Sequence, residues 1–415
     1  MKTKYSFMMM MVAAALFSVT CKSVKNSSGI QVTVSNQNAF ESTDQAVRIR
    51  ASELKTKYPD FDISKALVYD GDSVVPSQVN DIDGDGTADE LVFVADFGPQ
   101  QKKVFTLRKL TEGSQAPVYK KRTQAELSCK TGGHWDNHKY NGGTFKNINF
   151  IRVPDEQWDH SWFFRYEGPG WESDKIGYRF YLDERNAIDI FGKRTDTMSL
   201  QRVGLDGFDS YHEPAPWGQD IFKVGASLGV GSIALWADGK VNMVSKTDSV
   251  TCRIVLNGAV ESMVETNYYG WQVGDKKCDL RSQLSIYAGS RLTKNSLHLT
   301  GDTAALCTGI VKHPGVVLMT TDNSSGWTYL ASWGLQSLAN DSLGIAVLVN
   351  TKDMQKITAD TTNLIAVLKT ADKEVDYYLL AAWEKEPGGV TTKEQFKAYL
   401  DKQVEELNNP VKVEF

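Results

Sequence analysis

Short apolar runs recur along most of this chain, and few of them repeat at helical spacing. Ile30-Gln31-Val32-Thr33-Val34, Ala66-Leu67-Val68-Tyr69, Leu91-Val92-Phe93-Val94 and Val104-Phe105-Thr106-Leu107 are separated by Asp, Gly, Asn and Pro, the punctuation of strands joined by turns. Gly177-Tyr178-Arg179-Phe180-Tyr181-Leu182, Ser232-Ile233-Ala234-Leu235-Trp236 and Ile345-Ala346-Val347-Leu348-Val349 continue the pattern further on. This predicts an all-β protein: a small N-terminal β-sandwich, then large stacked antiparallel sheets. One helix is expected near the end, where Thr391 and Glu394 form a capping-box pattern and Phe396, Tyr399, Leu400, Val404 and Leu407 recur at helical spacing. Gly388-Gly389 precedes it as a hinge.

Aromatic usage divides the chain. All ten Trp and all six His lie between His134 and Trp383, whereas residues 30–115 have neither. The predicted organisation is a small β-domain over 30–115, a large β-domain over 116–387, and a C-terminal helix and tail over 388–415. Ahead of them, Lys2 and Lys4 precede an apolar run from Phe7 to Val19 that ends at Cys21. Residues 1–21 are read as a signal peptide, with either ordinary cleavage or lipidation of Cys21, and residues 22–29 as a tether. The expected location is therefore outside the cytoplasm, in the periplasm or as an outer-membrane lipoprotein. A net charge of −5 and a pI near 5.8 exclude nucleic acid and anionic lipid as partners, leaving a lipid anchor as the only membrane contact expected. Cys129, Cys252, Cys278 and Cys307 are even in number, so disulfides and buried thiols are both open.

The sharpest local signal runs from Asp81 to Glu90, with carboxylates at loop positions one, three, five and nine and Gly at six. That oxygen-rich pattern suits Ca²⁺, and the expected ligands are Asp81, Asp83, Asp85, Thr87, Asp89 and Glu90. Val92 stands where a helix-loop-helix site has its bidentate Glu, and a strand follows, so the ion is expected to stiffen the small domain rather than to catalyse. No organic cofactor is called for. Gly225-Ala226-Ser227-Leu228-Gly229 fits a serine-nucleophile motif but lacks the strand–turn–helix context that motif needs. His134-Trp135-Asp136-Asn137-His138 lacks the glutamate of a helical zinc site and is bounded by glycine pairs.

Between His134 and Lys223 the chain is dense in Trp, His, Arg and carboxylates, the mixture that stacks on sugar faces and bonds their hydroxyls. Single Trp residues in such a stretch also fill cores. Two proline-bearing loops, Tyr166 to Asp174 and Tyr211 to Asp220, place polar groups where sites are built. The expected substrate-binding residues are Trp217, Trp171, Trp162, His134, Trp135, Arg179 and Lys223, and the expected catalytic ones His212, Tyr211, Arg165, Glu172 and Asp220.

Tyr166 to Asp174, Gly177-Tyr178-Arg179, Arg185 to Lys193, Tyr211 to Gly225 and the Asp81 to Leu91 loop together resemble the exported bacterial family catalogued as domain of unknown function 4861. The resemblance implies a galactose-mutarotase-like β-supersandwich for the large domain and a setting in polysaccharide utilisation, often of pectin or other uronate-containing glycans. It carries over no catalytic residue. On that footing the chain is expected to act on uronate-containing oligo- or polysaccharides as a lyase-like enzyme, with Arg165, Arg179 or Lys223 neutralising the carboxylate and His212 and Tyr211 exchanging protons. A glycoside hydrolase using two of Glu172, Asp174, Glu213 and Asp220, and a non-catalytic glycan-binding lipoprotein, are the alternatives.

Overall fold

The structure is a computed structural model that describes residues 29–207, 210–321, 325–369 and 373–415. The leader and nearly all of the tether lie outside the described residues. The protein is all-β, with one 16-residue helix near its C-terminus, Lys393–Asn408, and a short one at Ala51–Lys57. No helix among the described residues is long and apolar enough to cross a membrane.

The small unit is a sandwich. Five strands in the order Lys412–Glu414, Ile30–Ser35, Lys102–Lys109, Ala66–Asp70 and Ser73–Val75 form one sheet. Ser42–Arg50, Glu90–Phe97 and Ser77–Asn80 form the other. Val32, Val34, Val68, Phe105 and Leu107 of the first meet Val47, Ile49, Leu91 and Phe93 of the second in one core, as alternating side chains must when one face of each sheet is buried. The chain's last strand pairs with Ile30–Ser35, Val34 opposite Val413, so the tail completes the sheet that the N-terminal strand begins.

The large unit stacks a nine-stranded antiparallel sheet, running from Phe150–Arg152 to Val317–Thr320, on a six-stranded and a five-stranded sheet. Its central strands are apolar at nearly every position because both faces are covered. Leu330, Val347, Leu379 and Ala381 point into the sandwich, whereas Tyr329, Ala331, Ala346, Leu348 and Leu380 point the other way, onto the helix. There Phe396, Leu400 and Val404 cover them, with Tyr399 and Leu407 at the edges, so the sequence stripe packs as expected. The cap lies one residue later than the pattern suggested. Thr392 accepts from the Gln395 amide at 3.1 Å, and the Gln395 side chain reaches back to the Thr391 amide at 2.9 Å, which makes Gln395 rather than Glu394 the reciprocal partner.

The cysteine alternatives resolve to thiols: Cys129, Cys252, Cys278 and Cys307 are all buried and unbridged. A core of this size needs no covalent staple.

Candidate functional site

Four residues with side chains adopt left-handed backbone conformations within eight positions: His160 (φ 56°), Trp162 (φ 67°), Tyr166 (φ 42°) and Glu167 (φ 72°). Such conformations cost of order 1–3 kcal/mol each and persist where the surroundings over-determine them. All four residues line one small cleft of about 20 Å³, whose lining also includes Gly204 and Gly207. A Cβ at Gly207 would meet the edge of the Trp162 ring at 3.6 Å, which is ordinary contact. Trp162 is 40% exposed, and the ammonium of Lys130 lies 5.5 Å from its ring and 5.4 Å from that of Phe145, another lining residue. Partial burial lowers the Lys130 ammonium from its ordinary value.

Behind the cleft runs a charged network. The His160 ring bonds through Nδ1 to Asp159, and Glu167 lies 3.8 Å from the same nitrogen. Arg185 Nη2 joins Glu167 and Asp183, each at 2.6 Å, and Asp159 at 2.9 Å. Deeper, Arg179 sits 3.4 Å from Glu167 and 2.7 Å from both Asp189 and Asp220, and donates to the Tyr211 hydroxyl at 2.8 Å. Arg179 and Asp189 are direct cross-strand partners, and Asp220 faces Phe191 two residues further along the next pairing, so three adjacent strands assemble this cluster. Burial, followed by the nearby Asp220, raises the Asp189 carboxyl above its ordinary value against the pull of Arg179. His212 closes the far end, its Nε2 3.4 Å from Asp220, and that hydrogen bond raises its imidazole above the ordinary value. Burial raises the Tyr211 hydroxyl.

The expected site residues divide accordingly. Tyr211, His212, Asp220 and Arg179 do meet in one network, and Trp162 opens onto the adjoining cleft. Several others are turned inward. Trp171 is fully buried, its indole N–H donating to Thr293 Oγ1 at 2.8 Å, so it presents no face to a sugar. Glu172 is fully buried too, held by Lys193 at 2.5 Å and by the Ser199 and Leu200 amides at 2.7 and 2.8 Å, where it caps a short turn instead of reaching a substrate. Arg165 is buried against Glu126 and Gln201 O, and Arg179 is saturated by carboxylates, which removes both as exposed cations. Trp217 packs edge-on to Phe191 at 5.9 Å. Trp135 packs against Tyr140 and Phe163, while His134 and Lys223 are exposed outside the cleft lining. The rejected nucleophile, Ser227, is buried and donates to Val224 O at 2.5 Å.

Lys130, Asp159 and Asp189 of this network are not among the expected residues, and in the sequence His160, Glu167 and Arg185 are marked only as members of a dense stretch. The Trp158-Asp159-His160-Ser161-Trp162 run, a His between two Trp, was the available signal.

In the small unit, Asp81, Asp83 and Asp89 bring carboxylate oxygens within 4.8 Å of one another and could hold a cation. Gly86, at loop position six, has φ 88°, and its amide and that of Gly84 donate to Asp81 at 2.9 and 2.8 Å. Glu90 does not join them. It is buried at the junction of the two units, 3.0 Å from Arg48 and 2.9 Å from Asn80, because successive strand residues point to opposite faces.

A family model described as "Domain of unknown function (DUF4861)" matches residues 34–413. The chain is 25% identical over 439 residues to "Uncharacterized protein P7" of Formosa agariphila, with 99% of each covered. Two solved structures from Enterococcus faecalis, an alpha-mannosidase and a protein in glycosyl hydrolase family 38, superpose with TM-scores of 0.46 at 10% identity. Each covers 92% of this chain, which spans less than half of their length, 45% and 47% respectively.

Proposed function

We propose that this chain, which belongs to the DUF4861 family, is an exported carbohydrate-active enzyme that cleaves uronate-containing oligosaccharides by elimination in the His160–Trp162 cleft. The observation that carries the reading is the set of four left-handed residues lining one cleft, strain that presents an imidazole and an indole side by side. In this reading Trp162 stacks on the sugar, and Lys130 faces the uronate carboxylate in place of the buried Arg165 and Arg179. Asp159 on Nδ1 orients the His160 ring, so Nε2 takes the C5 proton. The C4–O bond breaks, C4=C5 forms, and the imidazolium returns its proton to the leaving oxygen. The leader ending at Cys21 supports export.

The paired-carboxylate alternative finds less support. Glu172, Asp174 and Asp220 are buried and held by Lys193, Arg122 and Arg179, which leaves Glu213 as the one exposed carboxylate of that set where glycoside hydrolysis needs two across the scissile bond.

The test is a panel of uronate oligosaccharides followed by unsaturated-product absorbance and by reducing ends together. The chromophore should appear with the wild type, fall on the order of 10²-fold or more in His160→Ala, and persist with raised KM in Lys130→Ala. Reducing ends without the chromophore would mean hydrolysis, and neither signal with tight binding would mean a binding protein.

A further inference from the structure

A second, larger cleft of about 410 Å³ lies beside the first. Its walls come from three stretches, around Asp155, Asp183 and Thr247, with His138 and Tyr268. Gln157 lines both clefts, and Arg185 ties their walls together by bonding Glu167 in the first and Asp183 in the second. Trp158 opens into the second cleft and is 47% exposed. Its ring rests against His138, centroids 5.2 Å apart at 42°, and His138 is itself anchored through Nδ1 to Glu156 O at 3.0 Å. An indole held at a fixed tilt in an open cleft is a stacking platform.

This cleft is the more acidic of the two, since Glu167 is the one carboxylate in its neighbour's lining among the described residues. Asp155, Asp183, Glu184 and Asp248 line the second cleft, and among the described residues no Lys or Arg does. Arg152, Arg185 and Lys277 pair with Asp155, Asp183 and Asp248 from outside the lining, while Glu184 has no ion pair among the described residues. Partial burial raises the Glu184 carboxyl. Carboxylates accept from sugar hydroxyls and repel a second carboxylate, so the lining suits an uncharged sugar.

We propose that the second cleft is a further saccharide subsite, binding a neutral sugar unit stacked on Trp158. The substrate is then a mixed chain, with its acidic unit at Trp162 and its neutral unit at Trp158. The placing of the acidic unit rests on the function proposed above, and the neutral subsite does not.

Calorimetric titration of the intact protein with four neutral oligosaccharides (galactan, arabinan, xylan and mannan fragments) and with trigalacturonate tests this. At least one neutral probe should bind the wild type and bind Trp158→Ala about tenfold more weakly, with trigalacturonate affinity unchanged. Trp162→Ala should do the reverse. The proposal is overturned if no neutral probe binds the wild type, or if Trp158→Ala binds neutral probes normally while its melting temperature is unaltered. Loss of all acidic binding with neutral binding retained would instead remove the proposed function and leave this subsite standing.

Discussion

Replacing Glu261 by Gln should make the protein more stable, and increasingly so as the pH rises. Glu261 is fully buried where the two units meet. It accepts from Asn80 at 2.7 Å and lies 3.6 Å from Arg48, which also pairs with Glu90. Burial is the main influence on its carboxyl, opposed by Arg48 and reinforced by Glu90, and it raises the group from 4.5 to about 7. A raised folded-state pKa means that the native state holds this proton more tightly than the unfolded chain. The stability it contributes is complete below the unfolded value and is lost as pH climbs through the folded one. The difference between 4.5 and about 7, at about 1.4 kcal/mol for each tenfold, comes to about 3 kcal/mol. Gln resembles the protonated acid in shape and charge and does not titrate. Denaturant unfolding of wild type and Glu261→Gln at roughly pH 5 and pH 8 isolates the effect, because other titrating groups cancel in the difference. The variant should gain about 2–3 kcal/mol on the wild type between those two conditions. A difference independent of pH would show that Glu261 is ionised throughout and would refute the reasoning.

Two further outcomes follow from the same structure. Arg179→Met should cost about 3–5 kcal/mol, because Asp189, Asp220 and Glu167 lose the cation that offsets their burial; Asp189→Asn on that background should restore part of the loss, and a fall no larger than for exposed Arg152→Met would contradict it. We also propose that Ca²⁺ binds Asp81, Asp83, Asp85 and Asp89, so EGTA should lower the melting temperature of the wild type by an amount equivalent to about 3 kcal/mol at a hundredfold excess over Kd, and leave Asp81→Asn unmoved; equal melting curves with and without EGTA would refute it.

Local chemistry was legible wherever neighbours in sequence do the work. Apolar runs broken by Gly, Pro and Asp announced the strands, because extended segments need only a few residues and a turn to be recognisable. The Phe396 to Leu407 stripe announced the helix and the face it buries. The spacing of Asp81, Asp83 and Asp89 brought carboxylates together within a single loop.

Which side of a strand looks at the site was decided only by the tertiary structure. In the six-stranded sheet, Gly170–Ser173, Gly177–Phe180 and Ile188–Lys193 are buried at every position, so no polar-apolar alternation marks an outward face. Trp171 and Glu172 therefore read like site residues and serve the core, whereas Arg179, Asp189 and Asp220 meet only because three strands pair in one register. The left-handed turn at His160 and Trp162 likewise depends on packing, since His and Trp have no intrinsic reason to adopt it. Glu90 shows the same limit within one motif. It follows Asp89 directly, yet the period of two in a strand sends it away from the loop and into the junction with Glu261.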